Sequence, residues 1–129
     1  MSSTTIRTSA SDRRARLGRR GEDATLAAYL RAGFHLVERN WRCPAGELDL
    51  IVRRGDLLVV CEVKTRSGTA FGDGYESVTS TKRRRLRRLA QLFLAQWPDG
   101  HSVVIRFDVA SVLLPRDGRP DVVLFQDAF

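Results

Sequence analysis

Apolar and polar residues follow two different periods in the first third of the chain. Residues 17–32 repeat small and apolar side chains at helical spacing. One face of this helix carries Leu17, Gly21, Ala24 and Ala28. Gly33 is typical of a helix end, and the looser alternation of residues 34–41 is typical of a strand. The pattern therefore predicts a helix followed by a strand.

Two further apolar runs, residues 46–52 and 57–65, contain charges where buried strands would carry none. Asp49 lies in the first run, and Glu62 and Lys64 share one face of the second. A carboxylate or ammonium group in an apolar setting must be paired, bound to a metal or neutralised. These three residues therefore indicate a functional site.

The short connection between these two strands decides how their charges meet. A two-residue loop at residues 54–55 would place Asp49 opposite Val60 and Glu47 opposite Glu62, and a four-residue loop would give the same pairs. Asp49 and Glu62 would then be diagonal neighbours, about 7–8 Å apart on one face of the sheet. We therefore expect both carboxylates to reach one cation.

The second half of the chain predicts one more helix and two closing strands. An apolar stripe at helical spacing spans residues 86–97, and Thr79 or Ser80 can cap this helix. Strands are predicted near residues 102–112 and 121–125. The whole order predicts an α/β fold, with a central mixed β-sheet of about five strands flanked by helices.

The length of 129 residues suits one domain. Residues 1–15 are rich in Ser, Thr and Arg and predict a flexible basic tail, so the folded domain is expected at residues 16–129. Residues 65–78 contain three glycines and predict a mobile loop beside the charged strands. The chain has neither a signal-peptide core nor an apolar run near the ~20 residues of a membrane span, so we expect a cytoplasmic protein without membrane association.

Positive charge is concentrated in two places. The chain has 22 Lys and Arg against 15 Asp and Glu, a formal net charge of +7. Such clusters suit a polyanion, because each neutralised phosphate releases counterions, and nucleic acid is the leading partner. A solvated basic face or a contact with anionic lipid is the alternative. The candidate nucleic-acid-binding residues are Arg19, Arg20, Lys82, Arg83, Arg84, Arg85 and Arg88.

Crowded carboxylates on one sheet face need a positive partner. Lys64 supplies one charge, and a divalent metal would supply more. Carboxylates without His or Cys partners favour Mg²⁺ or Mn²⁺ over Zn²⁺. His35 and His101 lack ligand spacing, and Cys43 and Cys61 form no CxxC motif, so these four residues are not expected to bind metal.

Three charged residues each have two interpretations. Glu22 either points inward from the first helix or complements the helix macrodipole. Lys82 falls one turn before Leu86, and it points either toward the charged strands and a phosphate or out to solvent. Asp108 is either a further acid of the site or a structural residue, and we expect the structural role because Arg106 is available on the same face.

An acid followed by acid-x-Lys on the next strand is the pattern of the PD-(D/E)xK nuclease superfamily. The chain also resembles the YraN-like family of uncharacterised bacterial proteins, whose fold is similar to that of restriction endonucleases and archaeal Holliday-junction resolvases. The resemblance covers residues 18–112. It rests on Gly21-Glu22, Arg39-Asn-Trp-Arg, Gly46-Glu-Leu-Asp-Leu-Ile, Glu62-Val-Lys-Thr-Arg, residues 78–82 and Arg85-Leu86.

The resemblance implies roles for the matching residues. Asp49, Glu62 and the backbone carbonyl of Val63 would bind the metal, and Lys64 would orient or deprotonate the attacking water. Glu22 matches a helical acid that reaches the metal directly or through water. Leu48 stands where the superfamily motif has its proline.

The implied function is a nuclease-like domain that hydrolyses DNA phosphodiester bonds with Mg²⁺ or Mn²⁺, on branched or damaged DNA among other substrates. One alternative is a nucleic-acid-binding module of the same fold with little or no cleavage. A third class is an interaction protein that docks an acidic partner on its basic helix. A homodimer would suit a four-way junction, although no residue establishes one.

Overall fold

The computed structural model describes residues 9–68, 78–100 and 102–129. The described elements follow the predicted order of helix, three strands, helix and two strands. They are α1 (Ala10–Arg31), β1 (His35–Cys43), β2 (Gly46–Arg54), β3 (Leu57–Ser67), α2 (Ser80–Gln96), β4 (Val104–Leu114) and β5 (Asp121–Phe125). Most of the predicted 65–78 loop lies outside the described residues, and β3 continues to Ser67.

Helix α1 begins earlier than its apolar pattern predicts. Ser9 caps the helix by accepting a hydrogen bond of 3.0 Å from the backbone N–H of Asp12. Asp12 also places an acid in the first turn, where it complements the macrodipole. Residues 10–15, predicted as part of a flexible tail, are therefore helical. Their side chains are exposed, so apolar periodicity carries no signal there.

The five strands form one mixed sheet in the order β1-β2-β3-β4-β5. The β3–β4 pair is parallel, and the other three pairs are antiparallel. A parallel pair needs a crossover connection, and α2 lies within that connection. The predicted mixed sheet flanked by helices is confirmed, and this architecture is consistent with a restriction endonuclease-like fold.

The two helices cover opposite faces of the sheet. Tyr29 of α1 packs in a buried cluster with Leu50 and Cys61. Leu89 of α2 packs in the other buried cluster, which includes Val60. Each face of the sheet is therefore covered by a different helix.

Helix α1 approaches β3 closely at Gly21. A β-carbon added to Gly21 would overlap the Thr65 side chain and lie 2.8 Å from its Cβ. Glycine therefore sets how near the helix comes to the strand. The close approach brings the neighbouring Glu22 to the end of the sheet that carries the candidate site.

The β2–β3 register differs from the prediction by two residues. Ile51, rather than Asp49, pairs with Val60, and the two-residue loop consists of Gly55 and Asp56. Gly55 has φ +60° and occupies the first loop position, where a two-residue hairpin favours glycine. An even shift leaves the alternation of faces unchanged. Alternation breaks at Asp49, however, because Leu48 packs in the cluster of Leu89 and Leu50 packs in the cluster of Tyr29. Asp49 and Glu62 lie next to the last paired residues, Leu50 and Cys61.

Helix α2 has the predicted cap and apolar stripe. Thr79 accepts a hydrogen bond of 3.2 Å from the Lys82 backbone N–H. The residues of the stripe that are buried are Leu86, Leu89, Ala90 and Phe93. In the part of the chain that the structure describes, neither helix is long and apolar enough to cross a membrane.

Candidate active site

Asp49 lies where β2 and β3 separate. The pairing of the two strands ends at Leu50 and Cys61, just before Asp49. The Asp49 side chain links the two strands at this point: its Oδ2 accepts a hydrogen bond of 2.9 Å from the Val63 N–H. The carboxylate is therefore fixed to the strand that carries Glu62.

The Asp49 carboxylate is not fully compensated. Burial raises the pKa of Asp49 to about 7, and repulsion from Glu62 adds to the rise. The Val63 hydrogen bond opposes it, and Glu22 and Glu47 contribute smaller increases. Around neutral pH a large fraction of Asp49 is therefore protonated unless another cation arrives.

Glu62 lies between two lysines. Its side chain is buried, and its Oε1 is 2.7 Å from the Lys82 Nζ and 3.7 Å from the Lys64 Nζ. Lys82 belongs to the first turn of α2, so the helix contributes a cation to the site. Of the two interpretations of Lys82, the structure supports the one in which it points toward the charged strands.

The pKa values of the two lysines are shifted in opposite directions. Burial lowers the pKa of Lys64, and the hydrogen bond and repulsion from Lys82 lower it further. Burial also disfavours the Lys82 ammonium, but hydrogen bonds to Glu62 and Lys64 raise its pKa overall. Lys82 therefore holds the proton more firmly, and Lys64 is the lysine better suited to act as a base.

Glu22 points inward toward the site but is held by β1. Its Oε1 accepts hydrogen bonds of 3.3 Å from Arg39 Nε and 3.2 Å from Asn40 Nδ2. The side chain is 12% exposed, and its charge is close enough to raise the pKa of Asp49. Glu22 is thus placed beside Asp49, with one oxygen already engaged.

Sequence reasoning assigned no role to Arg39 or Asn40. Arg39 also reaches Asp23 at 2.7 Å and the Arg19 carbonyl at 3.0 Å, so it ties α1 to β1. Asn40 has φ +53°, a conformation that asparagine tolerates better than most residues. The segment Arg39-Asn-Trp-Arg was the only signal, because the partners are distant in sequence.

In the observed β2–β3 register, Glu47 does not lie opposite Glu62 as predicted. It pairs with Arg42 across the β1–β2 hairpin at 3.4 Å, and the arginine side chain is 76% exposed. Glu47 and Glu22 both line a cleft of about 280 Å³ between α1 and this hairpin. The third acid predicted near Glu62 therefore lines this cleft.

Asp108 belongs to a separate buried network. It accepts hydrogen bonds from the Tyr29 hydroxyl at 2.7 Å, from Arg106 Nε at 2.9 Å and from the Asp127 N–H at 3.0 Å. Its side chain is fully buried. These partners account for its charge, in agreement with the predicted structural role.

The four candidate DNA-binding arginines of α2 differ in exposure. Arg84, Arg85 and Arg88 are exposed and line a groove of about 450 Å³ beside Leu89 and the β1–β2 turn. Arg83 instead lies against the protein, where its Nε donates to the Val78 carbonyl at 3.1 Å. Three arginines therefore form a concave basic surface on the helix that also delivers Lys82.

The basic residues of the other helix, α1, are also exposed. Arg19 lies in the cleft that contains Glu22, and Arg20 lies in a groove of about 440 Å³ that passes Ser67 and Gly68 at the end of β3. Arginines on both helices thus lie near the ends of the strands that carry the acids.

The donors present suit a hard divalent cation. Asp49 and Glu62 offer carboxylate oxygens, and the Val63 carbonyl is adjacent in the chain, so these groups could hold Mg²⁺ or Mn²⁺. The pKa of Asp49 is raised by its burial and then by repulsion from Glu62, and a cation bound between the two acids would offset both effects. Within residues 9–68, 78–100 and 102–129, no three His, Cys, Asp or Glu side chains already surround a common point. His35 is exposed on β1, and His101 lies outside the described residues.

Comparison with known proteins places the chain in a family. The model of the uncharacterised protein family UPF0102 matches residues 21–112. The chain belongs to this family. The matched range contains Glu22, Asp49, Glu62, Lys64 and Lys82. Membership confirms the resemblance to the YraN-like family.

Several UPF0102 proteins are similar to this chain over nearly their whole length. One from Nocardia farcinica is 51% identical over 120 residues, which cover 93% of each chain. One from Frankia casuarinae is 48% identical over 113 residues, 88% of this chain and 95% of that protein. One from Beutenbergia cavernae is 56% identical over 86 residues, 67% of this chain and 72% of that protein.

Proposed function

We propose that this protein is an Mg²⁺- or Mn²⁺-dependent endonuclease-like enzyme of the PD-(D/E)xK type that hydrolyses DNA phosphodiester bonds, including those of branched or damaged DNA. The observation that carries the proposal is the meeting of Asp49, Glu62 and Lys64 where β2 and β3 separate. Two acids and a lysine at adjacent strand positions are the groups that such hydrolysis uses.

Each residue has a distinct task in the proposed reaction. Asp49, Glu62 and the Val63 carbonyl would hold the metal, which when bound stabilises charge on the phosphate and makes water a better nucleophile. Lys64 would accept a proton from that water, and its lowered pKa increases the neutral fraction available to do so. Glu22 would act from further out, because Arg39 and Asn40 hold its Oε1.

The basic helices support a nucleic-acid substrate. Arg84, Arg85 and Arg88 are exposed in one groove, on the helix that brings Lys82 to Glu62. Phosphates bound along this groove would lie near the acidic site without any base-specific contact. The net charge of +7 favours association with any polyanion, so binding should weaken steeply with salt.

A binding module without efficient cleavage is the second candidate, and one observation favours it. Glu62 is paired with two lysines and Asp49 with a backbone N–H, so each acid has a partner within the protein. Such an arrangement can persist without a metal. The basic grooves would then account for the function by themselves.

The test is cleavage of a substrate panel by purified protein with Mg²⁺ or Mn²⁺. The panel contains linear duplex, single-stranded, flapped and four-way DNA, and the variants are Asp49→Ala and Lys64→Ala. Asp117→Asn is the control, because this acid is exposed in the β4–β5 connection. The proposal predicts metal-dependent products with wild type and Asp117→Asn, and a loss of at least about a hundredfold in rate with the other two.

Two results would redirect the interpretation. Salt-sensitive DNA binding without cleavage by any form of the protein would favour the binding module. Neither binding nor cleavage would favour an interaction protein that uses its basic helix to dock an acidic partner.

A further inference from the structure

Lys82 is the nearest described cation to the proposed metal ligand Glu62. Its Nζ is 2.7 Å from Glu62 Oε1, whereas Lys64 Nζ is 3.7 Å from the same atom. The Glu62 side chain is 10% exposed and the Lys82 side chain is 23% exposed. Their contact therefore joins a buried carboxylate to an ammonium group that still reaches solvent.

This contact competes with a metal for the same carboxylate. A divalent cation on Glu62 would repel an ammonium group that is in direct contact with the same oxygen. Lys64 Nζ lies 3.7 Å from this oxygen, beyond hydrogen-bond distance, whereas Lys82 Nζ is in direct contact with it at 2.7 Å. Lys82 is thus the group that has to move when Glu62 takes a metal.

The start of α2 fixes the Lys82 backbone, whereas its long side chain can change conformation. Its backbone N–H donates to the Thr79 side chain, so the Cα is held in the capped first turn. The flexible four-carbon stem lets the Nζ swing while the helix stays in place. The exposed Arg85 lies three residues later on the same helix, where it lines the basic groove. A displaced Lys82 would therefore remain beside any phosphate bound at that helix.

We propose that Lys82 is an exchangeable positioning residue that occupies Glu62 until a divalent cation binds and then moves to a substrate phosphate. This inference rests on the proposed function and adds a coupling to it. Metal binding releases Lys82 for the phosphate, and phosphate binding releases Glu62 for the metal. Because coupling between two ligands is reciprocal, each must tighten the binding of the other.

The test is Mn²⁺ binding measured by calorimetry, with and without a phosphorothioate duplex that resists cleavage. Without DNA, Lys82→Met should bind Mn²⁺ about tenfold more tightly than wild type, because the partly buried competitor is gone. With DNA, Mn²⁺ binding should tighten in wild type but not in Lys82→Met. Lys82→Arg keeps a cation at this position and should resemble wild type.

Arg88→Met is the matched control, because it removes one positive charge from the same helix at an exposed position in the groove. Its Mn²⁺ affinity without DNA should stay within about twofold of wild type. An equal gain in Arg88→Met and Lys82→Met would reduce the effect to net charge and overturn the inference. So would unchanged or weaker Mn²⁺ binding by Lys82→Met, or DNA coupling that survives in that variant. Absence of Mn²⁺ binding in every variant would overturn the proposed metal-dependent function as well.

Discussion

The substitution Asp49→Asn should stabilise the metal-free protein at alkaline pH. The amide is neutral, and its oxygen can still accept the Val63 N–H that now binds Oδ2. It therefore removes the buried negative charge but keeps the hydrogen bond between the strands. An active-site carboxylate is expected to lower the stability of the metal-free protein when the site functions with a bound cation.

The size and sign of the effect follow from the Asp49 pKa. Folding raises the pKa from 3.8 to about 7, chiefly through burial and then through repulsion from Glu62. A carboxyl group with a raised pKa favours the folded state while protonated, so its cost is absent below about pH 4 and grows until about pH 7. A rise of this size corresponds to a cost of at most about 4 kcal/mol above pH 7, because the repulsion is shared with Glu62.

Urea unfolding in the presence of a chelator measures this difference. At pH 8, Asp49→Asn should raise the free energy of unfolding by about 2–4 kcal/mol relative to wild type, and near pH 4 the gain should disappear. The exposed Asp117→Asn serves as the control and should show no comparable pH dependence. A variant that is no more stable than wild type at pH 8, or equally stabilised at both pH values, would show that the Asp49 charge does not destabilise the fold.

Three further changes test the fold and the basic groove. Gly21→Ala should lower the free energy of unfolding by about 1–3 kcal/mol in a urea titration, because its Cβ would overlap Thr65. Gly18→Ala has open space and should be neutral or stabilising, so an equal loss at both glycines would contradict the close approach. Asp108→Ala should cost about 3–5 kcal/mol by leaving its buried partners unpaired, and a loss under about 1 kcal/mol would contradict the network. Arg85→Gln should reduce the slope of log affinity for DNA against log salt by about 1, and an unchanged slope would remove this residue from the phosphate contacts.

The faces of most sheet positions could be predicted because they follow from alternation, although alternation breaks at Asp49, between Leu48 and Leu50. The predicted register was wrong by two residues, yet Asp49 and Glu62 still came together. The error came from the turn, where Gly55 fits the first of two loop positions and the sequence allowed it in the second. The charges within apolar runs therefore predicted which acids share the site, whereas the turn set the register of the strands.

Contacts between helices and strands could not be predicted from periodicity. The sequence was compatible with two orientations of the Lys82 side chain, and only the packing of α2 brings its Nζ to Glu62. Arg39 and Asn40 engage Glu22 across the gap between α1 and β1, and no local pattern links these positions. The early start of α1 was missed for a different reason, because its first turns are exposed and rely on a Ser9 cap.

The rate of metal-dependent DNA cleavage, compared between wild type and Lys64→Met, shows whether Asp49, Glu62 and Lys64 form a nuclease site. This substitution keeps the length of the side chain but removes the amine that the proposed reaction uses as a base. We expect that wild type cleaves at least one DNA of the panel only with Mg²⁺ or Mn²⁺, and that Lys64→Met is slower by at least about a hundredfold. Equal rates for the two proteins, or cleavage that persists in a chelator, would contradict it.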